Sequence, residues 1–112
     1  MNTKLKKAIR IILITLLCIL GAALLLILAL YIILRVEMNR TNGEITSAGL
    51  IREYLIYVPE SYDPATPTAL VFNIHGFSQW PANQADVSQW NEVADEYGFI
   101  VVYPKGREFP LR

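Results

Sequence analysis

An uncharged segment of 24 residues, Ile11–Leu34, constrains the chain more than any other feature of its sequence. A helix of that length spans roughly 36 Å, which exceeds the hydrocarbon thickness of a bilayer, about 30 Å. In lipid such a segment must be helical, because only internal hydrogen bonds can satisfy its backbone. A cleaved signal peptide is the alternative. Its apolar region would be shorter, about 7–15 residues, and residues 31–35 (YIILR) offer no small-residue cleavage site. We therefore expect an uncleaved anchor.

Charges on the two sides of this segment predict its orientation. Residues 1–10 hold four basic side chains and no acid, whereas Arg35, Glu37 and Arg40 follow the apolar run. The positive-inside rule then predicts a cytoplasmic flank over 1–10 and a single transmembrane helix over 11–34. Residues 35–43 are polar and are expected to form a linker outside the cytoplasm. The lipid bilayer is thus the first predicted partner of the chain, and the part beyond the anchor is expected to be extracytoplasmic.

The composition of the remaining chain excludes several classes of function. Residues 36–112 contain ten acidic and five basic side chains, so the charge gives no reason to expect nucleic-acid binding. The single cysteine, Cys18, excludes an intrachain disulfide and a cysteine metal cluster. One histidine, His75, without a set of companion ligands cannot build a metal site. We expect neither a metal nor another cofactor.

The first elements after the linker read as a small β-hairpin. Residues 44–46 and 52–58 flank the turn-like sequence Ser47-Ala48-Gly49. The second run alternates and is rich in aromatic and β-branched residues, which favours a strand, and Pro59 ends it.

A strand–helix–strand unit follows between residues 69 and 103. Residues 70–74 are apolar except for Asn73, and this continuity predicts a strand covered on both faces, with Asn73 as a hydrogen-bonded polar residue near its end. Residues 99–103 form a second apolar run, which is expected to be another buried strand. Residues 44–112 thus belong to the α/β class, as a β-hairpin plus one βαβ unit.

The segment between these strands is expected to be one helix, Asn83–Tyr97. Its apolar stripe consists of Val87, Trp90, Ala94 and Tyr97 at helical spacing. Asn83 is the expected N-cap, and Gly98 occupies the place of a left-handed C-terminal cap.

The sequence His75-Gly76-Phe77 follows the first buried strand, where ligands gather in open α/β sheets. A phosphate loop is disfavoured, because Gly76 is the only glycine between Gly49 and Gly98. Two interpretations remain. The segment is either an oxyanion loop, in which the glycine allows a sharp turn and Phe77 N–H points into the cleft, or a plain turn in which His75 packs and forms hydrogen bonds.

Three blocks of sequence favour the oxyanion loop. Tyr54–Pro59, Leu70–Gln79 and Trp90–Pro104 resemble, in this order, the start of the polyhydroxybutyrate depolymerase and feruloyl esterase group of α/β-hydrolases. The resemblance covers roughly residues 50–106. It implies that Phe77 holds the donor position and that His75 and Gly76 shape the loop. Members often have cysteine where Phe77 stands, which leaves the backbone donor in place. The resemblance also places the strand of the nucleophile beside the strand Leu70–Ile74.

The remaining catalytic groups of such a hydrolase are missing from the sequence. These enzymes use a serine in a Gly-x-Ser-x-Gly elbow, followed by an acid and a histidine. The 112 residues contain no such elbow, and His75 precedes any place for the nucleophile. No catalytic triad residue is therefore assigned, and residues 44–112 are expected to be an incomplete α/β-hydrolase domain. An ester substrate is expected only for a full-length protein.

Three functions stay open at this point: the N-terminal part of a membrane-anchored serine hydrolase that acts on carboxylic esters, a small single-pass protein with a non-catalytic α/β binding module, and a plain anchor. The coding DNA beyond codon 112 distinguishes the first from the others. We expect it to encode a Gly-x-Ser-x-Gly elbow downstream. A genuine stop codon with no such elbow in any frame would contradict the hydrolase prediction.

Overall fold

The computed structural model of the chain describes residues 2–107. They fall into two compact units, Met1–Arg35 and Val36–Arg112. In chain order the elements are α1 (Thr3–Met38), β1 (Gly43–Ser47), β2 (Leu50–Tyr57), β3 (Leu70–Phe72), α2 (Pro81–Ser88), α3 (Trp90–Tyr97) and β4 (Ile100–Pro104).

Helix α1 is the one helix among residues 2–107 that is long and apolar enough to cross a membrane, judged by its length and composition. It extends beyond the predicted segment 11–34 at both ends, and none of its residues is buried against the protein. Its 36 residues correspond to about 54 Å of helix. Residues 35–38 of the expected linker are therefore helical.

The rest of the expected linker is held by β2. Asn42 N–H donates to Tyr54 O at 3.1 Å. The Asn42 side chain also accepts from Ile56 N–H at 2.7 Å and donates to Ile56 O at 2.9 Å. This side chain thus substitutes for a neighbouring strand and satisfies both backbone groups of Ile56.

The four strands form one mixed sheet in the order β1-β2-β4-β3. Strand β2 is antiparallel to both β1 and β4, and β3 is parallel to β4. The predicted hairpin is confirmed: Ala48 and Gly49 have φ values of 52° and 73°, as a two-residue hairpin turn requires. The arrangement is consistent with the expected α/β class.

Strand β4 lies at the centre of the hydrophobic core. Val101 and Tyr103 are fully buried and pack with Ala85 of α2 and Ala94 of α3. Leu55, Tyr57 and Phe99 surround this cluster. Since Leu55 pairs with Tyr103 and Tyr57 with Val101, the core lies on one face of the sheet.

The prediction that the Leu70–Ile74 strand is covered on both faces is wrong. Strand β3 ends at Phe72, and the side chains of Leu70 and Phe72 are 51% and 62% exposed. Val71 pairs with buried Val101 and so shares the core face, whereas its two neighbours point to the other face. The apolar run carried no information on what covers that second face.

The prediction of one helix over residues 83–97 is also wrong. Gln89 has a left-handed backbone, with φ of 55°, and separates α2 from α3. Helix α2 begins at Pro81 after Trp80, so Asn83 is not an N-cap. The interruption breaks the expected stripe.

Within that stripe, only Ala94 is buried, whereas Val87 and Tyr97 are about 70% exposed. The left-handed cap at Gly98 is confirmed, with φ of 70° and its N–H bonded to Ala94 O at 2.8 Å.

The exposed apolar edge at β3 leads to a prediction on self-association. We expect a soluble segment of residues 36–112 to associate through β3, because unpaired edges with apolar side chains recruit other strands. Phe72→Lys places a charge on this edge and should shift sedimentation velocity toward the monomer. Ile45→Lys, which introduces the same charge at an exposed apolar residue of β1, the opposite edge strand, is the control. Equal effects of both substitutions would contradict a specific role of β3.

Candidate functional site

The loop that follows β3 begins beside the end of β4. Phe72 pairs with Val102, and Asn73 N–H donates to Val102 O at 2.9 Å, which continues the pairing by one residue. Because the two strands are parallel, their carboxyl ends lie at the same end of the sheet. The chain leaves the sheet here, so the predicted site residues His75, Gly76 and Phe77 lie beyond the carboxyl ends of β3 and β4.

Residues 76–79 form a tight turn. Gln79 N–H donates to Gly76 O at 3.2 Å, and Ser78, the third residue of the turn, has φ of 61°. A positive φ at this position is typical of a type II turn. The left-handed residue of the turn is therefore Ser78 and not Gly76, for which the sequence predicts this backbone freedom.

Gly76 serves a different purpose, the close approach of a side chain. Its N–H donates to Gln79 Oε1 at 3.1 Å. A Cβ atom at Gly76 would lie 3.2 Å from that same oxygen, a tight contact that the Gln79 side chain would have to relieve. The glycine thus allows the Gln79 amide to cover the Gly76 N–H.

Phe77 presents an open donor in the turn. Within residues 2–107 no acceptor is bonded to its N–H. Its ring is 97% exposed, so no side-chain packing covers this corner of the turn. Ser78 N–H likewise has no acceptor among these residues, so the turn can donate backbone hydrogen bonds from Phe77 and Ser78 to an oxygen placed at this end of the sheet. The assignment of Phe77 as an oxyanion donor stays a prediction.

His75 connects this loop to the loop after β4. Gly106 N–H donates to Nε2 at 3.0 Å, and Nδ1 lies 2.9 Å from Gly76 O. Because a carbonyl oxygen only accepts, the ring proton must be on Nδ1, and the imidazole is neutral in this arrangement. Both ring nitrogens are therefore used in hydrogen bonds, Nδ1 within its own loop and Nε2 to the loop after β4.

Asn73 ties the end of β3 to α2. Gln84 Nε2 donates to Asn73 Oδ1 at 2.8 Å, and Asn73 Nδ2 donates to Ser88 Oγ at 2.9 Å. All three side chains are half-buried. The prediction that Asn73 is a hydrogen-bonded polar residue at a strand end is thus confirmed. The loop starts from a residue held by both the backbone of β4 and the side chains of α2.

Ser88 belongs to a second polar contact, with Tyr103. Tyr103 OH donates to Asn91 Oδ1 at 2.8 Å. Burial raises the pKa of the Tyr103 hydroxyl, and a hydrogen bond with Ser88 lowers that pKa by a smaller amount. The Ser88 hydroxyl thus forms hydrogen bonds with Asn73 and Tyr103 and has no histidine beside it to act as a base. Ser88 also lies outside any Gly-x-Ser-x-Gly sequence.

Two positions in this site were missed by sequence reasoning. Gln79 follows Gly76 by three residues, a spacing typical of a tight turn, and this signal was available. Gly106 lies 31 residues from His75, and no local pattern joins the two. Only the parallel pairing of β3 and β4 brings their following loops together.

The comparisons with known proteins relate part of the chain to an ester hydrolase. The chain is 38% identical over 58 residues to a bifunctional acetylxylan esterase/xylanase of Neocallimastix patriciarum. The aligned stretch is 52% of this chain and only 8% of that protein's length. No protein-family model matches the chain, and no solved structure matches it.

We expect Asn73→Ala to destabilise the unit that contains the sheet. It removes two half-buried hydrogen bonds and leaves Gln84 and Ser88 with unsatisfied groups, a loss of about 1–3 kcal/mol in the free energy of unfolding. Denaturant unfolding followed by the fluorescence of Trp80 and Trp90 measures this loss. Asn83→Ala, the same change at a half-buried helix position, is the control and should cost less than about 0.5 kcal/mol. A loss of equal size in both variants would contradict a specific role of Asn73.

Proposed function

We propose that the chain forms part of a membrane-anchored hydrolase of carboxylic esters and contributes its oxyanion loop. In this proposal Phe77 N–H donates to the developing oxyanion, while His75 and Gly76 hold the turn in place. The nucleophile and the base lie outside the 112 residues. The activity is of the esterase or polyester depolymerase type.

The geometry of the turn is the observation that carries this proposal. An unbonded backbone N–H stands at the carboxyl edge of two parallel strands, on a turn braced from both sides. Preorganised donors of this kind stabilise developing charge, because they need no reorganisation when the charge appears. The contacts of His75 with Gly106 and of Asn73 with α2 supply such a support.

Two further observations support the same function. The aligned relative is an acetylxylan esterase/xylanase, and removal of an acetyl group from a polymer is hydrolysis of a carboxylic ester. In addition, β3 is the last strand in the sheet order β1-β2-β4-β3. Its outer edge is unpaired within the described residues, and the family resemblance places the nucleophile strand at this edge.

The residues present do not supply the rest of the reaction. Ser78 follows Phe77 in the turn and lies outside any Gly-x-Ser-x-Gly elbow. Nε2 is the only acceptor nitrogen of His75, and it already accepts a hydrogen bond from Gly106 N–H. His75 therefore cannot take a proton from a nucleophile without breaking this hydrogen bond. Ester cleavage therefore requires a serine, an acid and a histidine from elsewhere.

In this proposal the chemistry takes place at a membrane. Helix α1 has the length and composition of a membrane span, and its basic residues are concentrated at the N-terminal end. By the positive-inside rule the N-terminus is cytoplasmic and the sheet is extracytoplasmic. The substrate would then be an ester outside the cytoplasm.

A non-catalytic binding module is the second candidate. It is favoured by one observation, the absence of a nucleophile elbow from a sheet that is otherwise formed. In that case the open edge at β3 and the exposed Phe77 ring would contact a partner rather than a substrate.

The test uses the polypeptide expressed from the natural coding sequence of the chain, with any codons that follow residue 112. We expect hydrolysis of p-nitrophenyl acetate, and a fall in kcat of about 10²–10³ for Phe77→Pro, the usual effect of losing one oxyanion donor. Proline fits the second position of a type II turn, so this substitution removes the N–H and keeps the turn.

Phe77→Ala is the matched control, because it removes the ring and retains the N–H. Its kcat should stay within a few-fold of the wild-type value. Equal rates for the proline variant and the wild type would refute the role of Phe77. Absence of any ester hydrolysis would favour the binding module.

A further inference from the structure

A cavity of about 320 Å³ lies next to the loop after β4. The start of β2 forms one wall of this cavity, with Arg52 and Glu53, and residues 105–107 form the other. Lys105 N–H donates to Glu53 O at 2.9 Å, which extends the antiparallel pairing of β2 and β4 beyond Pro104. This backbone hydrogen bond joins the two walls of the cavity.

The charges that line this cavity do not balance. Three lining side chains are basic, Arg52, Lys105 and Arg107, and one is acidic, Glu53. Lys105 Nζ lies 2.7 Å from Glu53 Oε2, and this hydrogen bond is the main reason why the pKa of Glu53 is lowered. The charges of Lys105 and Glu53 therefore cancel, and two positive charges remain on the lining of the cavity.

The two arginines provide these unbalanced charges. Both are exposed, and within residues 2–107 no carboxylate is paired with Arg52 or Arg107. A guanidinium group carries donors in a planar fork that matches the oxygens of a carboxylate or phosphate. Two unpaired guanidinium groups among the lining residues of one cavity favour an anionic ligand over a neutral one.

The cavity adjoins the candidate site through Gly106. This residue lines the cavity, and its N–H donates to His75 Nε2, two positions before Phe77. Gly106 would thus lie between an anionic group held by the arginines and His75 of the oxyanion loop. Sequence reasoning missed this site, because Arg52 and Arg107 are 55 positions apart and only the β2–β4 register joins them.

We propose that this cavity binds a carboxylate or phosphate group of the substrate, through Arg52 and Arg107. As a substrate site it rests on the function proposed above, and it narrows the substrate to esters that carry a negative charge near the scissile bond. Binding of the anion itself does not depend on hydrolysis. In this proposal the anionic group of the substrate determines which ester is accepted. Phe77 N–H then donates a hydrogen bond to the carbonyl oxygen of that ester.

The binding test uses the full chain in nanodiscs of phosphatidylcholine, titrated with inorganic phosphate and with glucuronate, while glucose serves as the neutral probe. We expect chemical-shift changes with both anions and none with glucose. The double variant Arg52→Gln/Arg107→Gln should raise the Kd at least about tenfold, as expected when charged hydrogen bonds are lost. Arg52→Lys/Arg107→Lys, which keeps the charge, should retain part of the affinity.

Arg40→Gln is the control for each arginine substitution taken singly, since it removes one positive charge from an exposed arginine outside the cavity. It should leave the Kd unchanged. An equal loss in the control and in the double variant would overturn the proposal, as would equal binding of glucose. If neither anion changes the chemical shifts, and the shifts change only when the nanodiscs contain phosphatidylserine, the ligand is a lipid headgroup. That result would overturn the substrate assignment.

A kinetic comparison separates this proposal from the proposed function. In the polypeptide expressed from the natural coding sequence, kcat/KM for a carboxylate-bearing ester should exceed that for its neutral analogue, and the double glutamine variant should remove this preference. Hydrolysis without any preference would overturn the anion site and leave the hydrolase function standing. Anion binding without any ester hydrolysis would leave the anion site standing and overturn the hydrolase function.

Discussion

The folded unit depends on β4, which, like β2, is hydrogen-bonded along both of its edges and which also carries the buried core residues. It pairs with β2 on one side and with β3 on the other, and its residues Val101 and Tyr103 are the most deeply buried large side chains of the core. Helices α2 and α3 pack on this strand, so their positions follow from it. The loop that leaves β4 supplies Gly106 and thereby reaches the candidate site.

The turn at Phe77 is held by contacts from several directions. The backbone of Asn73 is bonded to β4 and its side chain to α2, while His75 is bonded to Gly106. Groups held in this way keep their geometry without an entropic loss at the moment of reaction, which is what electrostatic stabilisation of a transition state requires. The surroundings of the turn are thus as important to the proposed function as Phe77 itself.

Those parts of the fold that depend on local pattern could be predicted from sequence. The hairpin around Gly49, the buried run ending at Pro104 and the cap at Gly98 each have a local cause. The break at Gln89 could not be predicted, because the apolar spacing continues across it and glutamine is not a residue type enriched in the left-handed region. The exposure of Phe72 depends on what lies over the second sheet face, about which a strand's own sequence says nothing.

The same distinction applies to the candidate site. His75, Gly76 and Phe77 were found because they are consecutive and follow a strand. The cavity with Arg52 and Arg107 was not found, because its residues meet only through the pairing of distant strands.

The amide of Gly76 has a consequence for how such a site can operate. Gln79 occupies that N–H, which leaves Phe77 and Ser78 as the amides of the turn that have no acceptor within residues 2–107. A tetrahedral oxyanion is usually held by two donors. In the proposed function, charge stabilisation would still be a property of the assembled domain, because a nucleophile from another segment has to dock beside these amides before an oxyanion can form.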